Sequence, residues 1–348
     1  MKRILKIAGI ALFLIFIAVG FVFYDKIQSL TQSNVLVDAK SPKALYIPAG
    51  SNTNDVIALL KNGELISSSE NLEWLFSLKN YKGGNVVPGK YTLQPGWSNT
   101  DLVNHLRAGR GKQEVKVQFN QIRTKEDLAG RLARNIVADS ASVALWLNNS
   151  DSIAKFGFNK NTIISMFIPN TYNVDWNTST SQLMTRMGKE FKKFWTAERV
   201  AKANAMGMTQ SEVVTLASIV YWETKLKKDM PMVAGVYVNR LKRGIPLQAD
   251  PTLIFAAGDF TIKRVLNKHK DIDSPYNTYK YAGLPPGPIL IPPSQYVDAV
   301  LNYSKHDYIY FVAKEDFSGE SYFAKHLSQH NIYANRFRKA LNERGIYR

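Results

Sequence analysis

The sequence predicts an α+β protein in three parts: an N-terminal transmembrane helix, a small α+β module, and a larger mixed α+β domain that carries the chemistry. Three observations predict it. A single long run of apolar or small residues spans 7–24. Soon after it, a strand–turn–helix pattern occurs twice. Beyond Met208, capped helical patterns alternate with loops rich in proline, glycine and amide or hydroxyl side chains.

Lys2, Arg3 and Lys6 precede the apolar run, and Asp25 and Lys26 follow it. Crossing a hydrocarbon core of about 30 Å takes about 20 helical residues, so the run is just long enough. The cations on its N-terminal side place that end in the cytoplasm. The rest of the chain is then expected beyond a cytoplasmic (inner) membrane, on its periplasmic or extracytoplasmic side. A cleaved signal peptide has a shorter apolar region, about 7–15 residues, ending in a small-x-small site. Here the run ends in the bulky Gly20-Phe21-Val22-Phe23-Tyr24, so a retained single-pass anchor over 1–26 is expected. Residues 27–43 are mixed in polarity and suit a short stalk.

Hydrophobic residues make up 45% of the chain and aromatics 11%, enough for true cores in a soluble remainder. The absence of cysteine excludes thiolate zinc, a cysteine nucleophile and disulfides, and does not identify the compartment. Net charge is +17, from 45 basic and 28 acidic residues, and such a surface attracts polyanions. Export by the anchor removes nucleic acid from reach. Lipid headgroups and cell-wall glycan bearing peptide carboxylates are left, with generic solubility as the other use of the charge.

The repeat defines a module expected over 44–118. Ile47-Pro48-Ala49-Gly50-Ser51-Asn52-Thr53-Asn54-Asp55-Val56-Ile57 resembles Leu93-Gln94-Pro95-Gly96-Trp97-Ser98-Asn99-Thr100-Asp101-Leu102-Val103. Each copy has a Pro/Gly turn, a Ser-Asn-Thr segment able to cap a helix, and an Asp in the first helical turn, where the helix dipole favours it. Short amphipathic helices are expected after both turns, the second closing at Gly109. Residues 86–93 read as a strand leading into the second turn, and 114–119 alternate as another strand.

In the domain expected over 119–348, a helix starts at 124–128 and helices fill most of 140–165 and 180–206, separated by a proline-broken extended segment. Thr209-Gln210-Ser211-Glu212 is a capping box. The helix it opens carries Leu216, Ile219, Val220 and Glu223 at helical spacing, which puts Glu223 on the aliphatic face beside Tyr221 and Trp222. Desolvation raises a carboxyl pKa toward the value a general acid needs near neutral pH. The plainer alternative is a helix-end Glu paired with Lys225, Lys227 or Lys228. A second buried helix then ends in Asn239-Arg240, and three loops follow: Pro246-Leu247-Gln248-Ala249-Asp250-Pro251-Thr252, Ser274-Pro275-Tyr276-Asn277-Thr278-Tyr279 and Gly283-Leu284-Pro285-Pro286-Gly287-Pro288-Ile289. Rigid turns crowded with polar side chains suit a binding cleft. The tyrosines and Trp222 suit sugar faces.

Leu216-Ala217-Ser218-Ile219-Val220-x-x-Glu223-Thr224, Ala234-Gly235-Val236-Tyr237-x-Asn239-Arg240-Leu241, the three loops and the late His330-Asn331 stand in order. Together they resemble the endolytic murein transglycosylase, or YceG-like, family from about residue 44 to the C-terminus. The resemblance implies a LysM-like module, a type of fold that often binds glycan. It also implies an enzyme that cleaves the β-1,4 bond from N-acetylmuramic acid to N-acetylglucosamine in nascent peptidoglycan, leaves 1,6-anhydro ends and so terminates strand elongation. The family's catalytic Glu falls on Glu223. Gln248, Asn239, Tyr276 and Asn277 are candidates for holding N-acetyl groups and the oxocarbenium-like state, with Thr252 beside them. Asp250 is either a supporting carboxylate or a turn cap. No cofactor and no metal are expected. The expected partners are peptidoglycan glycan strands, the membrane through the N-terminal helix, and penicillin-binding protein synthases, with no nucleic acid. A non-catalytic wall-binding scaffold that recruits such synthases is the alternative.

Two departures stand out. Many relatives carry an acidic residue where Tyr221 stands. Many also read Glu-Gly-x-Leu-Phe-Pro-Asp-Thr-Tyr where this chain has Ile164-Ser165-Met166-Phe167-Ile168-Pro169-Asn170-Thr171-Tyr172, which leaves that segment's part in the cleft open. His326 and His330 lack the Glu of His-Glu-x-x-His and read as ordinary helix residues.

Overall fold

A computed structural model describes residues 31–41, 43–109, 114–262 and 264–345, together with Ile17, Gly20, Phe23, Tyr24, 26–28 and Leu30. The expected transmembrane run, 7–24, lies almost wholly outside the described residues, among which no helix is long and apolar enough to cross a membrane. The class is mixed α+β, as the sequence predicts. The chain divides into two units, one holding the residues up to 116 with 135–138 and 173–179, the other holding 117–134, 139–172 and 180–348.

In the first unit, β1 (Ala44–Ile47) and β2 (Gly89–Thr92) pair antiparallel, with Leu45 opposite Tyr91. Between them in sequence lie α1 (Thr53–Asn62) and α2 (Leu72–Leu78), and α3 (Asn99–Ala108) follows. Both repeat copies fold as strand, turn and helix. Asn52 caps α1 and Ser98 caps α3, and in each case the Asp three residues on accepts from the cap's own amide. These reciprocal bonds satisfy helix-end N–H groups that nothing else would. The seven residues of α2 are too few to show a period, which is why the repeat gave no sign of it.

The segment expected as a stalk contributes to this unit's core. Val35 and Val37 are buried with Leu45, Ile47, Leu60 and Leu102. Val35 N–H donates to Trp97 O (3.0 Å), and Leu36 N–H to Leu65 O (2.9 Å). Asn34 fixes the arrangement: its amide donates to Ser68 O (2.7 Å) and Asn99 Oδ1 (2.5 Å), and its carbonyl accepts from Ser67 Oγ (2.6 Å) and Ser68 N–H (2.8 Å). A polar residue of this kind reads locally as linker, because all its partners are distant in sequence.

A second sheet pairs β3 (Glu114–Phe119) with β4 (Asn170–Asp175). The departing segment before β4 is scaffold: Ile163–Met166 is a buried 3-10 turn, and Tyr172 stacks on Phe119 at 5.7 Å. The second unit is mostly helical, through α4 (Lys125–Ala133), α5 (Ser140–Asn148), α6 (Ser150–Ala154), α7 (Thr180–Phe194) and α8 (Ala197–Ala205). Then come α9 (Gln210–Glu223), α10 (Met230–Lys242), α11 (Asp250–Ala257), α12 (Asn267–Lys270) and α13 (Ser294–Leu301). An antiparallel hairpin, β5 (Tyr310–Ala313) and β6 (Ser321–Ala324), and α14 (Leu327–Glu343) close it.

The second unit is organised about α9. Thr209 and Glu212 form its capping box, and every residue from 213 to 220 is buried. A helix without a wet face is a core helix, and α9 packs against α10, α11 and α13. Ser218 Oγ accepts from Ile289 N–H (3.1 Å), which ties the proline-rich loop to it. On α10, Gly235 lies so close to the segment after α13 that a Cβ would stand 2.4 Å from Ser304 O and 2.6 Å from His306 Nε2. Asn239 clamps the same segment, its amide donating to His306 O (2.6 Å) and Tyr308 O (3.0 Å). Gly235→Ala is therefore expected to destabilise the protein by about 1–3 kcal/mol, the usual cost of overpacking. The measurement is the urea midpoint, and a midpoint equal to wild type would show that 304–306 gives way freely.

Candidate active site

Glu223 is the last residue of α9, where the buried helix meets a cleft of about 360 Å³. Tyr237, buried on α10, donates its hydroxyl to Glu223 Oε1 at 2.9 Å. Burial pushes the Glu223 carboxyl up from 4.5 to about 7; the Tyr237 bond works against this, and the negative charge of Asp250 adds to it. The negative end of the α9 dipole disfavours a carboxylate there as well. Burial and the neighbouring carboxylate also hold the Tyr237 phenol well above its usual range, so it stays a donor. The alternative of a lysine-paired helix-end Glu does not hold. Lys225 bonds Tyr221 O and lies over the Tyr221 ring (3.2 Å), and Lys228 pairs with Glu320.

The opposite side of the cleft comes from the loop before α11 and from the C-terminal hairpin and helix. Arg240, 7% exposed, donates to Leu247 O (2.7 Å) and to Gln248 Oε1 (3.2 Å). These bonds accompany a left-handed conformation of Gln248 (φ 52°), which is uncommon for a non-glycine residue. Asp250 opens α11 and accepts from the Tyr279 hydroxyl at 2.6 Å. Tyr310 of β5 stacks on His330 of α14 at 5.2 Å and 24°. Burial, with the Arg240 charge, holds the His330 imidazole below its usual pKa and so neutral at pH 7.

Of the residues singled out in the sequence, Glu223, Gln248 and Asp250 line this cleft together. The others are placed differently. Asn239 spends its amide on the carbonyls of 306 and 308. Asn277 is fully buried, donating to Lys270 O and Ile272 O (both 2.8 Å) and accepting from the amides of Tyr279 and Lys280, so it has nothing left for an N-acetyl group. Thr252 is equally buried, against Ala249 O (2.7 Å) and Thr278 Oγ1 (2.8 Å). An amide or hydroxyl suits a loop's backbone as well as a ligand, and in these three places the backbone takes it. Tyr276 packs on Phe255 at 4.6 Å and lines a separate cavity.

The sequence reading did not single out Tyr237, Arg240, Tyr279, Tyr310 or His330 as site residues. Tyr237 carried a usable signal, standing on the helix that follows Glu223 and in the same buried stripe; the others reach the cleft only through tertiary folding. A larger cavity, about 650 Å³, opens beside 206–212 and 284–286, but its acid, Glu212, is committed to the α9 cap. Among the described residues no group of three histidine and acidic side chains converges as a metal site.

Residues 45–336 match the model of the YceG-like family. A Bacillus subtilis protein named endolytic murein transglycosylase is 30% identical over 323 residues, 88% of each chain. A Streptococcus pneumoniae protein of the same name is 27% identical over 92% of this chain, which spans 63% of the pneumococcal protein's length. The crystal structure of a yceG-like protein from Listeria monocytogenes aligns with a TM-score of 0.54 at 26% identity, covering 84% of this chain and 99% of that one. With the family model matched along most of its length, this chain belongs to the YceG-like family.

Proposed function

We propose that this chain is an endolytic murein transglycosylase that cleaves the β-1,4 bond from N-acetylmuramic acid to N-acetylglucosamine within peptidoglycan strands. The observation that carries the reading is Glu223: a carboxyl pushed up to about 7, bonded through one oxygen to Tyr237, in a cleft with a second carboxylate near it. With Oε1 accepting from Tyr237, the proton sits on Oε2. Glu223 passes that proton to the glycosidic oxygen as the bond from the anomeric carbon breaks. The resulting carboxylate takes the proton of the muramic C6 hydroxyl, which attacks the anomeric carbon and closes the 1,6-anhydro ring. No water is consumed, and Glu223 ends protonated. An intramolecular hydroxyl has a very high effective concentration, so the second reacting carboxylate of ordinary glycosidases is not needed. The negative charge of Asp250, fixed by Tyr279, favours the oxocarbenium-like state.

In the same reading, the 44–118 module is LysM-like, supported by its strand–helix–helix–strand order and antiparallel pair. Residues 1–26 anchor the chain in the cytoplasmic membrane, with the domains outside it beside the synthases that make new strands; the cationic N-terminus and the apolar run support this.

Glu223→Gln is expected to lower the yield of anhydromuramic ends from purified strands by about 10²–10⁴-fold, the usual worth of a general acid–base. Mass analysis of the digest decides it: equal yields from both forms would sink the enzyme reading and favour a scaffold, and hydrated ends would mean a muramidase. Wild-type turnover should fall about tenfold per pH unit above 7, where Glu223 loses its proton.

The same shift fixes the sign of a stability effect. The folded protein keeps the Glu223 proton up to about pH 7, and the unfolded chain only to its ordinary 4.5. Folding takes up a proton between these values, so stability falls as pH rises through them, by at most about 3 kcal/mol. Glu223→Gln escapes this loss. It should be more stable than wild type at pH 8 and equal to it below pH 4.5; the same difference in urea midpoint at both pH values would refute the raised pKa.

Deleting 1–26 is expected to preserve cleavage of isolated strands and to impair function in cells. Full complementation by an exported soluble form would show that the anchor has no part in the activity.

A further inference from the structure

The Glu223 cleft accounts neither for Tyr276 nor for the cations gathered near it. A second cavity of the same unit, about 410 Å³, is lined by Arg123, Lys125, Lys160, Phe255, Phe260 and Tyr276, with Glu126 as its acid. Its rings and charges are organised. Tyr276 packs on Phe255 at 4.6 Å, and Phe260 stands 6.2 Å from Phe255. The Arg123 guanidinium is clamped between the rings of Trp222 (4.6 Å) and Phe260 (4.8 Å), which fixes it without spending its N–H donors. Lys125 donates to Asn148 Oδ1 (2.5 Å), and burial holds it below its usual pKa, Glu126 opposing and Lys160 adding to the shift. Among the described residues no carboxylate forms an ion pair with Arg123, Lys125 or Lys160.

The cavity is also in line with the reacting acid. A narrow slit lined by Trp222, Pro251, Arg123, Phe255 and Phe260 adjoins it, and Trp222 and Pro251 are the chain neighbours of Glu223 and Asp250. Helix α11 runs from Asp250 at the cleft to Phe255 at the cavity, about 8 Å at 1.5 Å per residue. That is a distance covered by a pair of linked sugar rings. Aromatic faces take the apolar side of a pyranose, and unpaired cations take carboxylates. A neutral glycan would leave those cations unused.

We propose that this cavity is a second glycan subsite, which holds a carboxylate-bearing muramic acid residue of the same strand whose bond is cut at Glu223. The sugar rests on Phe255, Phe260 and Tyr276, and the carboxylate pairs with Arg123 and Lys160. The inference rests on the functional reading above. Two sources supply the carboxylate, the lactyl group on peptide-free strands or the stem peptide on intact ones.

The test compares kcat/KM on long strands with kcat/KM on the shortest oligomer that wild type cuts. Lys160→Glu reverses an exposed charge, and Phe260→Ala removes one ring. Each is expected to lower the long-to-short ratio about tenfold, through KM, the order of one charge-assisted contact. A fall on peptide-free strands assigns the lactyl carboxylate; a fall only on peptide-bearing strands assigns the stem peptide. An unchanged ratio for both variants on both substrates overturns the subsite. If wild type cuts nothing, the functional reading has failed on its own. Binding of long strands to Glu223→Gln, with and without Lys160→Glu, then decides the subsite: about tenfold weaker binding supports it, and equal affinity overturns it.

Discussion

The hydrogen bond from Tyr237 to Glu223 joins two core helices, and its effect depends on both being dry. In water a phenol would lower a carboxyl pKa and leave an ordinary acid. Here Val213 through Val220 are all buried, and the chain emerges from that core only in the last turn, at Tyr221, Trp222 and Glu223. Burying each large aliphatic side chain contributes about 1.5–3 kcal/mol. Several such residues on α9 offset the roughly 3 kcal/mol that holding Glu223 ionised would cost. The apolar helix is therefore the source of the acid's chemistry as well as its support. Exposing the end of α9 would lower the pKa before it lowered the stability much.

The loops around the cleft follow from the same constraint. A half-buried acid must meet a rigid partner surface, since motion would let water in and return its pKa to normal. Asn277 holds its loop through four hydrogen bonds, Thr252 and Thr278 tie that loop to the start of α11, and Asn239 ties the end of α10 to the segment before β5. Arg240 does the same for 247–248, where Gln248 takes its uncommon conformation. Polar residues that look like ligand contacts in one dimension are thus the frame of the cleft, and a fixed frame lowers the ordering cost of binding.

That division explains what could be read from the sequence. Capping boxes are local, so Asn52, Ser98 and Thr209 announced three helices correctly, and a buried stripe at helical spacing pointed to Glu223. Which amide faces the cleft is not local. Asn239 and Gln248 sit nine residues apart with similar chemistry, and only the fold sends one to backbone carbonyls and the other to the cleft. Asn34 shows the same limit in the first unit, where a residue that reads as stalk is tied into the core by groups far along the chain. His330 reads as an ordinary helix residue because its stacking partner, Tyr310, lies on a strand.

The placement of charge carries the argument one step further. A net charge of +17 should draw carboxylates toward ionisation, yet Glu223 is pushed the other way. Screening confines distant charges to a reach of about 8 Å at physiological salt, so what matters is which cations stand close. Lys225 is turned onto Tyr221, Lys228 is taken by Glu320, and Arg240 bonds a carbonyl and an amide. The nearby formal charge that acts on Glu223 is Asp250, of the same sign. Cations without an acid partner gather instead at the far end of α11, around Arg123 and Lys160. A strand carrying carboxylates at regular intervals would be held there electrostatically while its scissile bond met an acid that no cation had neutralised. Separating attraction from proton transfer by the length of one short helix would let a basic protein grip an anionic polymer and still keep its general acid protonated.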